Sequence, residues 1–142
     1  MKRSPFGALA AGLAGAGVIV MGFAGPTFAG VHGNVAPTST LSLVNETAPG
    51  AAPGYGQTIT FKVQTSAAPE PWVSLVCDQN GTTVLSDNVG FFASYPWQWQ
   101  QNVTLSSGSW TGGAANCLAT LYSTTSKGKS STLATLTFPV TA

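Results

Sequence analysis

Apolar and polar residues alternate along much of the chain, and the clearest run extends from Gln57 to Thr65. There Ile59, Phe61 and Val63 fall on one face of an extended chain, while polar residues fall on the other. This alternation predicts a strand that is buried on one face. The segment Thr38–Val44 alternates in the same way and predicts an earlier strand. Two Pro-Gly pairs mark the stretch between them as a loop.

Two apolar runs flank Asn80 and Gly81, the preferred central pair of a tight β-hairpin. On the first run Val73, Leu75 and Cys77 share one face, so these residues are predicted to point into the core. The hairpin is the strongest local pattern in the chain, because the turn residues and the flanking alternation agree.

The second half of the chain predicts three more strands. One is "QNVTLSS", residues 101–107, and the other two are "GGAANCLATLYSTT" and "STLATLTFPV", which flank a second hairpin at "SKGK". In the first of these two, Ala115, Cys117, Ala119 and Leu121 share a face. The patterns together predict seven strands and no helix after the N-terminal leader. The expected fold class is therefore all-β, an antiparallel β-sandwich occupying residues 38–142.

The first 29 residues have the organisation of a secretory signal peptide. Lys2 and Arg3 precede an uncharged, mostly apolar stretch, and "TFA" ends at Ala29 with the small residue that a signal peptidase requires. The alternative is an uncleaved membrane anchor, which the short, Gly- and Ala-rich run disfavours. We therefore predict a signal peptide at 1–29, a flexible segment at 30–37 and a secreted, extracellular protein with no membrane contact after cleavage.

Both cysteines, Cys77 and Cys117, lie in the exported part of the chain. An oxidising compartment favours their pairing, and the alternative is two buried free thiols. A closed loop of about 40 residues would contribute roughly 4 kcal/mol in the chain-entropy model.

Charge is too sparse to suggest a polyanionic partner. Charged residues make up 6% of the chain, and the sequence after Ala29 contains three lysines and four side-chain carboxylates. Without a basic patch, neither nucleic acid nor an anionic membrane surface is an expected partner.

Few residues are available for catalysis or metal binding. The only histidine, His32, lies close to the predicted mature N-terminus, which is a poor place for a catalytic triad member. Asp78 and Asp87 flank the first hairpin and are interpreted as turn residues rather than as a glycosidase pair. We expect neither enzymatic activity nor a bound cofactor. One metal hypothesis remains, because cleavage after Ala29 would leave "GVH", whose His32 could complete a square-planar Cu(II) site; the alternative is an ordinary terminal histidine.

The stretch "YPWQWQ" places Tyr95, Trp97 and Trp99 at alternate positions. In an extended chain these rings would form one row, either inside the core or on the surface. Pro96 cannot donate to a central ladder, which indicates an edge or a loop. Since a domain of this size has more aromatic residues than its core can hold, some of them should be exposed. An exposed row with Gln98 and Gln100 beside it could stack on sugar rings.

After the leader, the chain resembles an immunoglobulin-like (Ig-like) domain of the kind found in small secreted proteins of actinobacteria. "PWVSLVCDQNGTTV" is similar to strand C with its hairpin, and "WTGGAANCLATLYS" is similar to strand F. The resemblance implies that the cysteines join strands C and F, not B and F. The chain lacks two hallmarks of antibody domains. No Trp occupies the usual place between the cysteines, and Ala115 lies where the tyrosine of a tyrosine corner would be.

The resemblance implies an architecture but no established activity. We therefore expect a non-catalytic binding or cell-surface interaction module, with a protein or a cell-surface glycan as partner. The alternatives are a carbohydrate-binding module that uses exposed aromatic residues and a small secreted inhibitor that offers a loop to an enzyme.

Overall fold

The computed structural model describes residues 37–142. The predicted signal peptide, His32 and all but the last residue of the predicted N-terminal segment lie outside the described residues.

The described part of the chain folds as an antiparallel β-sandwich, as the sequence predicts. Its strands are β1 (Ser39–Asn45), β2 (Thr58–Thr65), β3 (Trp72–Gln79), β4 (Thr82–Gly90), β5 (Val103–Thr104), β6 (Ala115–Thr124) and β7 (Ser130–Val140). One sheet has the order β1-β2-β5 and the other has the order β4-β3-β6-β7. Seven strands and the all-β class are both confirmed.

The fifth strand is much shorter than predicted. The pattern favoured a strand over residues 101–107, whereas only Val103 and Thr104 pair with β2, and residues Gln98–Gln101 form a 3-10 turn. The backbone N–H of Asn102 bonds to the Trp99 carbonyl at 3.4 Å, and that of Ser106 bonds to the Thr104 carbonyl at 2.8 Å. Local bonds thus occupy groups that a longer ladder would need.

The core lies between the two sheets and contains the residues that alternation assigned to it. Ile59 and Phe61 from β2 meet Val73, Leu75 and Cys77 from β3, and all five are buried. Each large apolar side chain buried in this way stabilises the fold by about 1.5 to 3 kcal/mol. The alternating faces predicted for β2, β3 and β6 are confirmed.

Cys77 and Cys117 form the disulfide. They lie directly opposite each other on β3 and β6, with Cα atoms 4.0 Å apart, and both are buried. The bond therefore joins neighbouring strands of one sheet and does not cross the sandwich. The predicted pairing of the two cysteines is confirmed.

Both predicted hairpins are present. Asn80 and Gly81 connect β3 to β4 with φ angles of 51° and 80°. Positive φ at both central positions is the geometry of a type I′ turn, which matches the twist of the strands. Residues 125–129 connect β6 to β7, with Gly128 at a φ of 77°.

One end of the sandwich is fastened by side chains, and we call it the locked end (Asn45, Tyr55, Gln57 and Trp110). The Asn45 side chain donates to Gln57 Oε1 at 2.9 Å and accepts the backbone N–H groups of Thr47 and Ala48 at 3.0 and 2.9 Å. Asn45 thereby provides a hydrogen-bond acceptor for the backbone N–H groups at the start of the long β1–β2 loop.

Trp110 is the central ring of the locked end. Its side chain is fully buried, and its indole N–H donates to the Gly113 carbonyl at 3.2 Å. The hydroxyl of Tyr55 donates to the Trp110 carbonyl at 2.9 Å, and the two rings meet edge to face at 5.4 Å. The tryptophan of the core thus comes from the β5–β6 connection, and not from "YPWQWQ".

Candidate functional site

Residues 91–102 connect β4 to β5 and carry the predicted aromatic row, but this segment is not extended. The N–H of Tyr95 bonds to the Phe92 carbonyl at 3.0 Å, and the N–H of Gln100 bonds to the Trp97 carbonyl at 2.9 Å. These turns and the 3-10 turn at Gln98–Gln101 replace the strand geometry. The expectation that the three rings share one strand face is therefore wrong, while the position outside the strands that Pro96 indicated is confirmed.

Tyr95 belongs to the core side of this segment. It is 5% exposed and packs over Gly90, where an added methyl group would lie 2.5 Å from Tyr95 Cδ2 and 2.6 Å from Phe92 Cε1. Trp72 pairs with Gly90 across the β3–β4 ladder. Only a residue without a side chain leaves room for these rings at the end of β4.

Four rings form a connected edge-to-face cluster. Centroids lie 5.7 Å apart for Trp72 and Phe92, 5.5 Å for Trp72 and Tyr95, 5.4 Å for Phe92 and Tyr95, and 5.7 Å for Tyr95 and Trp97. Such contacts each contribute about 0.5 to 1.5 kcal/mol beyond area burial. Together with Trp99, these rings are called the aromatic flank (Trp72, Phe92, Tyr95, Trp97 and Trp99).

Trp97 and Trp99 lie at the surface. Trp97 is 48% exposed although its edge rests against Tyr95, and Trp99 is 69% exposed. Neither ring packs across the core, so the interpretation of these two residues as core tryptophans is wrong. The prediction that the aromatic surplus leaves some rings exposed is confirmed.

The 3-10 turn distributes its side chains over three faces. With three residues per turn, residues three apart point the same way. One face carries Gln98 and Gln101, which line a shallow groove of about 410 Å³ beside Phe61 and Phe91. Gln101 donates to the Gly90 carbonyl at 2.8 Å, and Gln98 donates to the Ala93 carbonyl at 3.1 Å. This face fastens the turn to the end of β4.

Trp99 and Gln100 lie within the turn, and Trp97 and Asn102 flank it. Gln100 Oε1 accepts from the Tyr95 hydroxyl at 3.3 Å. Gln100 and Asn102 both line a cleft of about 330 Å³ between the edge of β4 and the edge of β5. Each surface tryptophan thus lies three residues before an amide that borders this cleft, and neither tryptophan lines the cleft itself.

The opposite wall of the cleft comes from β4. Leu85 pairs with Cys77 and Asp87 pairs with Leu75, and both of these partners are inward-facing residues of β3. Asp87 consequently points toward the gap between the sheets and is half-buried. Val103, Thr104 and Ser106 complete the lining.

The interpretation of Asp78 and Asp87 as turn residues is wrong, because Asp78 lies in β3 and Asp87 lies in the middle of β4. After the turn at Asn80 and Gly81, alternation along β4 places Leu85, Asp87 and Val89 on one face. A carboxylate in the middle of an otherwise apolar face was thus visible in the sequence. Nothing in the sequence indicated that residues 100–106 would lie across from it.

The two hairpin aspartates do not face a common substrate. Asp78 points outward and its Oδ1 accepts from the Thr83 hydroxyl at 2.6 Å, whereas Asp87 points inward. A glycosidase needs two carboxyl groups on either side of one bond, and this pair does not provide them. Within residues 37–142, no three His, Cys, Asp or Glu side chains form a group that could hold a metal ion.

A larger groove lies elsewhere, on the outward face of the four-stranded sheet. It measures about 530 Å³, and the residues lining it include Val76, Leu118, Thr137 and Pro139. Leu118 is 43% exposed. No exposed aromatic ring borders this groove among the described residues, so we assign the candidate site to the aromatic flank and its cleft.

Comparisons of the chain with protein-family models, with curated proteins and with solved structures find no match. No helix among residues 37–142 has the length and apolar character needed to cross a membrane.

Proposed function

We propose that this protein is a secreted, non-catalytic Ig-like binding module whose contact surface is the aromatic flank. The Ig-like assignment is supported by strand order. The orders β1-β2-β5 and β4-β3-β6-β7 correspond to A-B-E and C′-C-F-G in an Ig-like sandwich.

The locked end departs from the tyrosine corner of Ig-like domains. In a tyrosine corner, a tyrosine near the start of strand F bonds to the backbone a few residues upstream. Here Ala115 occupies that position, and Tyr55 from the β1–β2 loop donates to the Trp110 carbonyl at 2.9 Å. This end is therefore fastened by a bond between two loops, and the Ig-like assignment rests on strand order.

Secretion is supported by the leader together with the disulfide. A bond between Cys77 and Cys117 is consistent with an extracellular protein, because cytosolic thiols are kept reduced. We expect the protein outside the cell to have lost its signal peptide and to contain this disulfide.

The exposure of Trp97 and Trp99 is the observation that carries the binding function. Exposed large apolar rings cost solubility, and tryptophan is among the residues most enriched at binding hot spots. The rings are not on a loose loop, since Tyr95 supports Trp97 and two glutamine side chains fasten the turn. Rigid aromatic anchors lose little conformational entropy when a ligand binds.

Binding to intact cells and to purified cell-wall material tests this function. The double variant Trp97→Ala/Trp99→Ala should lose most binding in a sedimentation assay while it stays folded, with a melting temperature lowered by only several degrees through the lost contact with Tyr95. Leu118→Ala is the matched control, because Leu118 is a similarly exposed apolar residue on the outward face of the sheet. Wild-type protein that fails to bind, or a double variant that binds equally well, would overturn the proposal.

Carbohydrate binding is a second candidate, favoured by the amides beside the two tryptophans. Tryptophan faces stack on sugar rings, and side-chain amides bond to sugar hydroxyls. The enzyme-inhibitor alternative stays a prediction, which loss of activity in a co-secreted hydrolase would support.

A further inference from the structure

We infer that the cleft between β4 and β5 is a binding site for an uncharged oligosaccharide, with Asp87 in its lining and the exposed Trp97 and Trp99 close by in the chain. This inference rests on the proposed function and names the ligand class of the same surface.

The geometry of the 3-10 turn joins the tryptophans to the cleft. The bond from the Gln100 N–H to the Trp97 carbonyl is 2.9 Å, and the bond from the Asn102 N–H to the Trp99 carbonyl is 3.4 Å. These bonds hold each tryptophan one turn before a cleft-lining amide. A chain of sugar rings that reaches from the exposed tryptophans into the cleft would meet the amides of Gln100 and Asn102.

The cleft is lined by groups that suit hydroxyls. The residues that line it are Leu85, Asp87, Gln100, Asn102, Val103, Thr104 and Ser106. Carboxylate, amide and hydroxyl side chains together offer both donors and acceptors, which a polyhydroxylated ligand needs. Among the described residues, this lining includes one carboxylate and no lysine or arginine, so uronic acids and sulfated sugars are disfavoured.

Asp87 supplies the carboxylate in the lining of the cleft. One carboxylate oxygen accepts the neighbouring N–H of Asn88 at 2.8 Å, and no other partner for the carboxylate is found within residues 37–142. No side-chain oxygen without a partner is buried among the described residues, so the second oxygen of Asp87 is accessible to a ligand. Two adjacent sugar hydroxyls would donate to it, and hydrogen bonds to a charged acceptor are about twice as strong as neutral ones.

The size of the cleft also favours a small ligand over a protein. A volume of about 330 Å³ is at the lower end of the range for small-molecule sites. Protein interfaces are flatter and exclude charged groups from their centres, whereas here the carboxylate lies inside the recess.

Another role for Asp87 leads to a different result. An inward-pointing charge on an edge strand prevents that edge from pairing with another chain. If this is its only role, Asp87→Ala should leave glycan binding unchanged and make the protein associate. That outcome would overturn the inference.

The test is calorimetric titration of the mature, disulfide-bonded protein with neutral hexasaccharides of glucose, N-acetylglucosamine and mannose, and with an oligogalacturonate. We expect one neutral series to bind and the anionic series not to bind. Asp87→Ala should weaken binding by about 10-fold or more, and Asp87→Asn by less, because the amide keeps one acceptor. Leu118→Ala should bind like the wild type, and thermal melts of all variants exclude unfolding as the cause.

The outcomes separate this inference from the proposed function. If the tryptophan variants lose cell binding but no neutral hexasaccharide binds, or if Asp87→Ala binds it unchanged, the cleft inference is wrong and the binding module stands. If the tryptophan variants keep full cell binding, the proposed function is wrong as well.

Discussion

Strand β3 connects two regions of this protein, one with a buried tryptophan and one with an exposed tryptophan. At its end, Gln79 donates to the Gly112 and Ala114 carbonyls at 2.8 and 2.9 Å, next to the locked end where Trp110 is fully buried. At its start, Trp72 contributes to the aromatic flank, where Trp99 is 69% exposed. The same sandwich thus buries one indole completely and leaves another largely in water.

The difference shows that exposure at the flank does not follow from loop position alone. Trp110 and Trp99 both lie in connections between strands. Trp110 has a hydrogen-bond partner for its indole N–H and an aromatic neighbour, which together make burial favourable. The 3-10 turn that contains Trp99 has no buried residue at all, so its backbone presents the ring outward. The two regions accordingly differ in what removal of a ring should do.

The largest expected effect contrasts these two tryptophans directly. Trp110→Ala should lower the free energy of unfolding by about 3 to 5 kcal/mol, because it leaves a cavity in the locked end. Trp99→Ala should change it by no more than about 0.5 kcal/mol, as is usual at an exposed position. Urea unfolding of both variants measures the two values. Equal losses would show that the flank is part of the structural core, and Trp110→Phe provides a milder variant if Trp110→Ala does not fold.

Removal of the disulfide should come next. Cys77→Ala/Cys117→Ala should lower stability by about 2 to 4 kcal/mol, since the unfolded chain regains the freedom that the bond removes. The fold should persist, because the bond joins neighbouring strands and the core joins the sheets. Urea unfolding with far-UV circular dichroism measures both effects. A variant without sheet structure would show that the disulfide is required for the fold, and wild-type protein in reductant is the control.

Gly90→Ala perturbs the flank without touching the locked end. The added methyl group would displace Tyr95 and Phe92, which should cost about 1 to 3 kcal/mol and move the support beneath Trp97. A shift in tryptophan emission and weaker cell binding should accompany the loss. Gly108→Ala is the matched control, since a methyl group there meets nothing within 4 Å. A Gly90→Ala variant with unchanged stability and emission would contradict the packing of Tyr95 over Gly90.

Asn45→Ala should have a smaller effect than Trp110→Ala, the double cysteine variant or Gly90→Ala, and only at the locked end. It removes the bond to Gln57 and the acceptor for two backbone N–H groups, at a cost of about 1 to 2 kcal/mol. Cell binding should not change, because none of these groups borders the flank. Gln98→Ala, which removes one exposed side-chain bond at the flank, is the comparison and should cost less. Calorimetric melts measure the loss of stability in both variants. A larger loss in Gln98→Ala than in Asn45→Ala would mean that side-chain bonds hold the flank more strongly than the locked end.

Much of the sandwich follows from local sequence patterns. Period-two alternation placed Ile59, Phe61 and Leu75 in the core, and Asn80-Gly81 fixed the β3–β4 hairpin. These predictions hold because strand faces and tight turns depend on residues that are near one another in sequence. The pattern failed at residues 101–107, where local turn bonds compete with the ladder and shorten β5 to two residues.

The candidate site could be predicted only in part. The sequence indicated that Tyr95, Trp97 and Trp99 form a special stretch outside the central strands. It could not show which of these three rings is buried and which are exposed. Alternation assumes an extended backbone, and the backbone turns at Gln98–Gln101. Asp87 lay on a predictable face, but its partner wall comes from a distant part of the chain.

The sequence by itself therefore determined the strands, the faces, the hairpins and the availability of two cysteines for pairing. These features depend on local stereochemistry and on residue type. Only the tertiary structure decided that Trp110 fills the locked end while Trp97 and Trp99 remain at the surface, and that Asp87 lies across a cleft from Gln100 and Asn102. Such placements depend on how two sheets meet, which is set by the packing of side chains that are far apart in the chain.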